Sequence, residues 1–217
     1  LREKSDNKMQ VADFLVDYAT DIVLIEAKGG TIPDKLVSWN TSSDYLDTLR
    51  ERYVEQGCAQ LARTISKLST GEWNPAGIDI SQAQRVFPLL VAHDNVPQAH
   101  LHAHFLAGEF RDRLQPDSSE NVGWMVKGRF RVAPLTALTI DDLERLESSL
   151  GKFSLLDILR AYSDEHPDRR VSFRNFVAGN PDRFPMVHNK NLASTCERML
   201  CACLRRFFPG TSGRQSV

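Results

Sequence analysis

Three ionisable side chains, those of Asp13, Glu26 and Lys28, are spaced so that a β-hairpin would bring them together. The stretches around them alternate in polarity with the period of two that is typical of strands. With a two-residue loop at Ala19 and Thr20, Asp13 lies directly opposite Glu26, and Lys28 lies on the same face. Opposed carboxylates repel each other unless a cation lies between them, so the spacing predicts a bound divalent metal. Oxygen ligands favour Mg²⁺ or Mn²⁺, held by Asp13 and Glu26.

This metal site depends on the register of the hairpin. In the predicted register Tyr18 lies opposite Asp21, and a slip by one residue would move Asp13 to the other face. Residues 22–27 are almost entirely apolar apart from Glu26, as in a buried strand. The alternative interpretation is a surface hairpin whose end carries ordinary charges.

A long amphipathic helix is predicted after the hairpin. It begins with Ser43 or Asp44 as a cap and runs to about Ser69. Gln60 belongs to a polar stripe beside the apolar one, which in an ordinary amphipathic helix is a solvated face. The apolar positions are Leu46, Leu49, Tyr53, Cys58, Leu61, Ile65 and Leu68.

The remaining chain reads as short strands and helices. Residues 84–92 form an apolar strand in which Pro88 favours an edge or bulged position. Thr139 is a predicted helix cap with Asp142 as its capping-box partner. The other predicted strands are 123–126, 129–132 and 135–139, the predicted helices are 96–114, 140–150, 153–163, 172–177 and 191–208, and 115–121 reads as a loop.

Composition indicates a globular protein with a sizeable core, since 41% of the 217 residues are hydrophobic. No apolar run approaches the roughly 20 residues of a membrane span, and no signal-peptide pattern opens the chain, so we expect a soluble cytoplasmic protein without a membrane partner. Four cysteines read as reduced core thiols, and the spacing of Cys196, Cys201 and Cys203 on one helix does not suit zinc. The first residue is Leu1, which is compatible with numbering that begins inside a longer polypeptide.

The charges are unevenly distributed along the chain. The formal net charge is −1, which argues against a general nucleic-acid binder, but residues 151–217 carry 11 Lys and Arg against 6 Asp and Glu. This asymmetry would let the C-terminal part contact phosphates while the acidic part, residues 1–150, holds metal. The alternative is a basic helix surface that is merely solvated.

The hairpin carries a motif that resembles a known family. Asp13, followed after twelve residues by Glu26, Ala27 and Lys28, is similar to the motif of the PD-(D/E)xK nuclease superfamily. In that family an Asp on one strand and the Glu and Lys of the next strand surround one or two Mg²⁺ ions. Ala12 stands where the family usually has Pro.

The resemblance covers about residues 11–150. Residues 86–94 resemble the next core strand of the family, and residues 137–146 resemble a strand-and-helix segment that often follows it. The fold implied is α/β and restriction-endonuclease-like, a mixed β-sheet flanked by helices. It would occupy residues 1–150, with a mainly helical C-terminal extension over 151–217.

One departure concerns the start of this domain. The family core begins with a helix and a first strand, and the helix often supplies another acidic ligand. Ten residues before the hairpin cannot hold both elements. Either the domain starts upstream of Leu1 or its core is incomplete, and Glu3 is a poor substitute for the missing ligand.

The resemblance implies an Mg²⁺-dependent endo- or exodeoxyribonuclease, in keeping with a restriction or defence setting. Asp13 and Glu26 would ligate the metal, and Lys28 would orient or help deprotonate a water and stabilise charge on the phosphate. Gln60 matches an accessory Gln on the following helix and would position the nucleophile or hold a ligand. The sequence leaves open whether the chain acts in a homo-oligomer or a larger protein complex.

Two other functions compete with this one. The first is a catalytically silent nuclease-like module that binds nucleic acid or scaffolds a complex. The second is a histidine-triad nucleotide hydrolase, because His100, His102 and His104 would share one face of a strand. The surrounding apolar spacing favours a helix, on which only His100 and His104 are neighbours.

Overall fold

The computed structural model describes residues 11–29, 42–93, 100–120, 123–147, 149–150 and 152–185. It confirms an α/β fold built on one mixed β-sheet with helices packed against it. The strands are β1 (Phe14–Tyr18), β2 (Asp21–Lys28), β3 (Arg85–Ala92), β4 (Ser118–Glu120), β5 (Gly123–Val126), β6 (Phe130–Val132) and β7 (Thr136–Thr139). The helices are α1 (Ser42–Leu49), a π-helical segment (Arg50–Cys58), α2 (Ala59–Thr70), α3 (His100–Leu114), α4 (Ile140–Leu146), α5 (Leu155–Glu165) and α6 (Phe173–Gly179).

The strand order is β1-β2-β3-β6-β5-β4, and β7 also pairs with β3. The hairpin β1–β2 and the meander β4–β5–β6 are antiparallel, whereas β3 is parallel to β2, β6 and β7. The register aligns Lys28 with Ala92 and Ala92 with Thr139. The carboxyl ends of β2, β3 and β7 therefore meet at one edge of the sheet.

The alternation along β2 divides the core into two layers. Ile22 and Leu24 pack under the long helix and α3, while Val23 packs with α5 and α6 on the other face. Both layers are buried because a parallel strand at the centre of a sheet is covered on both sides. The division of the chain at residue 150 stays a prediction, but the described helices beyond it share a core with the sheet.

The predicted long helix is confirmed as one continuous helical stretch from α1 to α2, with a π-helical middle that its apolar spacing did not indicate. Gly57 lies in this middle segment, and a Cβ at that position would come within 3.0 Å of Leu90 Cδ1. The glycine therefore lets the helix approach β3 closely.

Pro88 lies inside β3, which has partners on both sides, so the expected edge position is wrong. The reason is a gap between β6 and β7. Val86 accepts a hydrogen bond from the Ala133 N–H, so the polar groups of even-numbered β3 residues face that side. There β6 is paired only as far as Val86, and β7 pairs from Leu89 onward. Pro88 thus lacks its N–H at the place where the sheet offers no partner for it.

A buried arginine fills the gap between β6 and β7. The Arg169 side chain is fully buried, and its guanidinium lies 4.2 Å from the centre of the Tyr162 ring. It donates to the carbonyl oxygens of Pro134, Leu135, Tyr162 and His166 and to the hydroxyl oxygens of Thr136 and Ser163. Burial lowers the pKa of Arg169 to about 10. The carbonyls that the interrupted strand leaves without a ladder partner are therefore satisfied by one side chain.

An ion cluster fixes the opposite, amino-terminal end of β2. The carboxylate of Asp21 is 1% exposed and accepts hydrogen bonds from Thr20 Oγ1 at 2.8 Å, Arg85 Nε at 2.6 Å and Arg160 Nη2 at 2.5 Å. Burial acts to raise the pKa of Asp21, but these three donors together lower it below its ordinary value. The cluster joins β2 to β3 and to α5.

Several smaller predictions can be compared with the described residues. The capping box of Thr139 and Asp142 is confirmed, and Cys58 is a buried free thiol. Residues 118–120 form a strand, so reading 115–121 wholly as a loop is wrong, because a short polar edge strand has no apolar alternation. None of the described helices has the length and apolar character needed to cross a bilayer. Residues 94–99 and the predicted helix 191–208, with its three cysteines, lie outside the described residues.

Candidate functional site

The hairpin has the predicted register. Tyr18 pairs with Asp21, and the registered pairing continues to Phe14 and Ile25. One more step of this register would place Asp13 opposite Glu26, although Asp13 lies just outside the strand. Lys28 O accepts a hydrogen bond from the His93 N–H on the β3 side, so the polar backbone groups of even-numbered β2 residues face β3 and those of odd-numbered residues face β1. A pair at Asp13 and Glu26 would therefore be of the non-hydrogen-bonded kind.

Glu26 is a buried carboxylate with an unsatisfied oxygen. Its side chain is only 2% exposed, and Oε1 lies 2.6 Å from Lys28 Nζ, whose side chain is 14% exposed. Among the residues that the structure describes, the buried Oε2 atom has no hydrogen-bond partner. Buried polar atoms are nearly always paired in folded proteins, so an unpaired carboxylate oxygen marks a place where a ligand would be favoured.

The electrostatic environment of Glu26 opposes its ionisation. Burial, together with the Asp13 charge, raises the pKa of Glu26 to about 7 against the opposing effect of Lys28. One ammonium therefore does not compensate the loss of water around this carboxylate. An additional positive charge beside Glu26 would compensate this loss.

Glu26→Gln should stabilise the cation-free protein at alkaline pH. The folded-state pKa of Glu26, about 7, exceeds its ordinary value of 4.5. The wild type therefore has its full stability below pH 4.5 and loses stability as the pH rises from 4.5 to about 7. Gln has no proton to lose, so we expect a gain in stability of about 3 kcal/mol at pH 8 and almost none at pH 4. Urea unfolding in EDTA at both pH values measures this. A variant that is less stable than the wild type at pH 8 would contradict it.

Asp13 is exposed and lies at the entrance to β1. Its Oδ2 atom accepts a hydrogen bond from the Ala27 N–H at 2.9 Å, beyond the last registered pair of the hairpin. Asp13, Glu26 and Lys28 are therefore brought to one end of the hairpin, as the sequence predicts. One wall of the site, Glu26, is buried, and the other, Asp13, faces solvent.

Gln60 approaches the hairpin from the start of α2, but its amide is engaged with the backbone. Nε2 donates to the carbonyl oxygen of Val11 at 2.7 Å. One turn further along α2, the Thr64 hydroxyl accepts the Ala12 N–H at 2.9 Å. Sequence reasoning missed Thr64, because a buried threonine in an amphipathic helix has no pattern that distinguishes it from a core position. The role predicted for Gln60 in placing a nucleophile stays a prediction.

A second cation lies near the exposed end of β2. Arg52, in the π-helical segment, donates a hydrogen bond from Nη2 to the carbonyl oxygen of Gly29, the residue after Lys28. Its guanidinium also lies 5.9 Å from the ring centre of Tyr53. The only sequence signal for Arg52 is its place in the polar stripe of the long helix. It adds positive charge beside the open end of the site.

The three histidines lie on α3, so the helical interpretation is confirmed. His104 Nδ1 lies 2.7 Å from the backbone oxygen of Asp168, and the His102 ring lies 6.0 Å from the Tyr45 ring. On a helix His100, His102 and His104 cannot share one face. The strand that a histidine-triad hydrolase would require is therefore absent from residues 100–104.

Asp13 lies close enough to Glu26 to act on its charge, but the two carboxylates do not make a complete metal cage among the described residues. Within the described residues, no group of three or more His, Cys, Asp or Glu side chains is arranged to hold a metal ion. The donor set still suits a hard cation, because Mg²⁺ is commonly held by one or two carboxylates and completes its shell with water or substrate phosphate.

Comparison with protein-family models, curated proteins and solved structures finds no match to this chain.

Proposed function

We propose that this chain is a metal-dependent nuclease, with a restriction-endonuclease-like core, that hydrolyses phosphodiester bonds in DNA. The observation that carries the proposal is the buried Glu26 carboxylate, whose Oε2 lacks a hydrogen-bond partner among the described residues, whose Oε1 contacts Lys28 and on whose charge Asp13 acts. Leaving a carboxylate oxygen buried and unpaired is costly unless a ligand compensates it. A divalent cation is the ligand that two carboxylates select.

Asp13 and Glu26 would hold the cation, Mg²⁺ or Mn²⁺. The oxygen-only donor pair and the unsatisfied Oε2 atom support this choice over zinc, which favours nitrogen and sulfur. A bound cation supplies Lewis acidity toward a phosphodiester oxygen and lowers the pKa of water. Positive charge at this point would also hold Glu26 in its ionised form.

Lys28 contributes a fixed positive charge to the site. Its ammonium is anchored 2.6 Å from Glu26 Oε1 and retains partial exposure, with 14% of the side chain accessible. An ammonium held in this way can donate to a phosphate oxygen as negative charge develops on it, and can orient an attacking water. Arg52 supports the same assignment, because a guanidinium beside the site favours an anionic substrate.

The test is a cleavage assay with plasmid and short single-stranded DNA in Mg²⁺ or Mn²⁺, with EDTA as the metal-free arm. We expect cleavage by the wild type and a loss of about a hundredfold or more in Glu26→Gln and Lys28→Met. Glu72→Gln and Lys152→Met are matched controls, since both side chains are exposed, and they should cleave like the wild type.

Two outcomes would decide against the proposal. Equal cleavage by the wild type, Glu26→Gln and Lys28→Met would remove this site from the reaction. Cation-dependent DNA binding with no cleavage under any of these conditions would favour the catalytically silent module instead.

A further inference from the structure

The chain changes hydrogen-bond partners immediately before Asp13. Beyond the pair of Phe14 and Ile25, a continued ladder would join Ala12 to Ala27 by two backbone hydrogen bonds. Instead the Ala12 N–H is donated to Thr64 Oγ1 at 2.9 Å, and the Ala27 N–H is donated to Asp13 Oδ2 at 2.9 Å. The Asp13 carboxylate thus occupies the place of the missing backbone acceptor.

The position and hydrogen bonds of Thr64 favour this change of partners. Its side chain is fully buried, and its hydroxyl donates to the Gln60 carbonyl oxygen at 2.8 Å, which leaves the oxygen lone pairs for the Ala12 N–H. Gln60 fixes the preceding residue by donating to Val11 O at 2.7 Å. Both contacts join positions about 50 residues apart in the sequence, and both end on backbone atoms directly before Asp13.

We propose that Thr64 is a positioning residue for Asp13: by drawing the Ala12 N–H out of the hairpin ladder, it frees the Ala27 N–H and so holds the Asp13 carboxylate opposite Glu26. The consequence for divalent cation binding rests on the proposed function. The placement of the Asp13 carboxylate does not, because it is defined by hydrogen bonds within the chain. Gln60 supports the same arrangement by holding the carbonyl oxygen of Val11, the residue before Ala12.

The test compares Thr64→Val, which keeps the shape but removes the hydroxyl, with Thr64→Ser, which keeps the hydroxyl. Ile65→Val is the matched control, because it disturbs the same helix in the same core while the hydroxyl that accepts from the Ala12 N–H stays in place. The measurements are Mn²⁺ affinity by calorimetry and hydrogen exchange of the Ala27 amide by NMR. We expect Thr64→Val to weaken Mn²⁺ binding about tenfold or more and to accelerate exchange at Ala27. Thr64→Ser and Ile65→Val should stay close to the wild type in both.

The two readouts separate this proposal from the proposed function. If the wild type binds no Mn²⁺, the cation site fails, and Ala27 exchange alone decides whether Thr64 holds Asp13. Unchanged Ala27 exchange in folded Thr64→Val overturns the positioning role. If the wild type binds Mn²⁺, an unchanged Mn²⁺ affinity in Thr64→Val also overturns the positioning role. If Thr64→Val does not fold, Gln60→Met takes its place, and wild-type values of both readouts in Gln60→Met overturn the proposal.

Discussion

Arg169→Met should destabilise the folded chain by about 3–5 kcal/mol. The side chain is fully buried and serves six acceptors. Four are backbone carbonyls, two in the interruption between β6 and β7 and two at the end of α5. Methionine has a similar reach but donates no hydrogen bond, so these acceptors would remain buried and unpaired. Both residues would adopt the positive φ of 56° at this position, so backbone strain cancels in the comparison.

Guanidinium unfolding measures this difference, with Arg170→Met as the control because the neighbouring side chain is 76% exposed. The opposing effect is the cost of burying the charge, which methionine removes and which the lowered pKa of Arg169 reflects. We expect the six lost hydrogen bonds to outweigh it. Stability within 1 kcal/mol of the wild type would mean that burying the guanidinium costs about as much as its bonds contribute.

Asp21→Asn should cost about 3 kcal/mol at neutral pH. The change leaves the guanidinium groups of Arg85 and Arg160 without their shared carboxylate, and it places an amide donor against them. Both arginines are about one third exposed, at 37% and 35%, so water recovers part of the loss. This keeps the estimate at the lower end for a buried ion pair. Urea unfolding at pH 7 measures it.

The same aspartate should govern the acid stability of the fold. The three donors hold the pKa of Asp21 below its ordinary value of 3.8, so its contribution is present above that value and disappears as the pH falls through the folded-state pKa. The difference between the wild type and Asp21→Asn should therefore shrink in acid. Asp112→Asn, at a carboxylate that is 68% exposed, is the control. A difference that persists unchanged at pH 2 would contradict the assignment.

The hairpin was the most predictable part of this molecule. The two-residue loop at Ala19 and Thr20 fixes the pairing of Tyr18 with Asp21, and a slip by one residue would move Asp13 to the other face. The same periodicity that defines the strands also places Glu26 and Lys28 on one face, so the core of the candidate site follows from local pattern. The long helix was predictable for a similar reason, because its apolar spacing persists over many turns.

Contacts across the sequence were not predictable in this way. In the sequence, nothing distinguishes Thr64 from any other core threonine. Its hydrogen bond with the Ala12 N–H forms only once α2 packs against the hairpin. Pro88 was assigned to an edge or a bulge because the rule considers one strand at a time. Its tolerance inside β3 depends on where β6 ends and β7 begins. Arg169 belongs to no sequence motif, since its six partners come from two separate stretches of chain, residues 134–136 and 162–166.

The interruption opposite Pro88 also gives the sheet a modular organisation. Among the described residues, the meander β4–β5–β6 is registered to the remaining strands only through the pairs of Arg85 with Arg131 and Val86 with Val132. The candidate site lies at the other end of β2, in the part formed by β1, β2, β7 and the carboxyl half of β3. The meander is therefore coupled to that part through the core that Val126, Phe130 and Val132 share with Ile22 and Leu24, and not through direct strand pairing with β1 or β2.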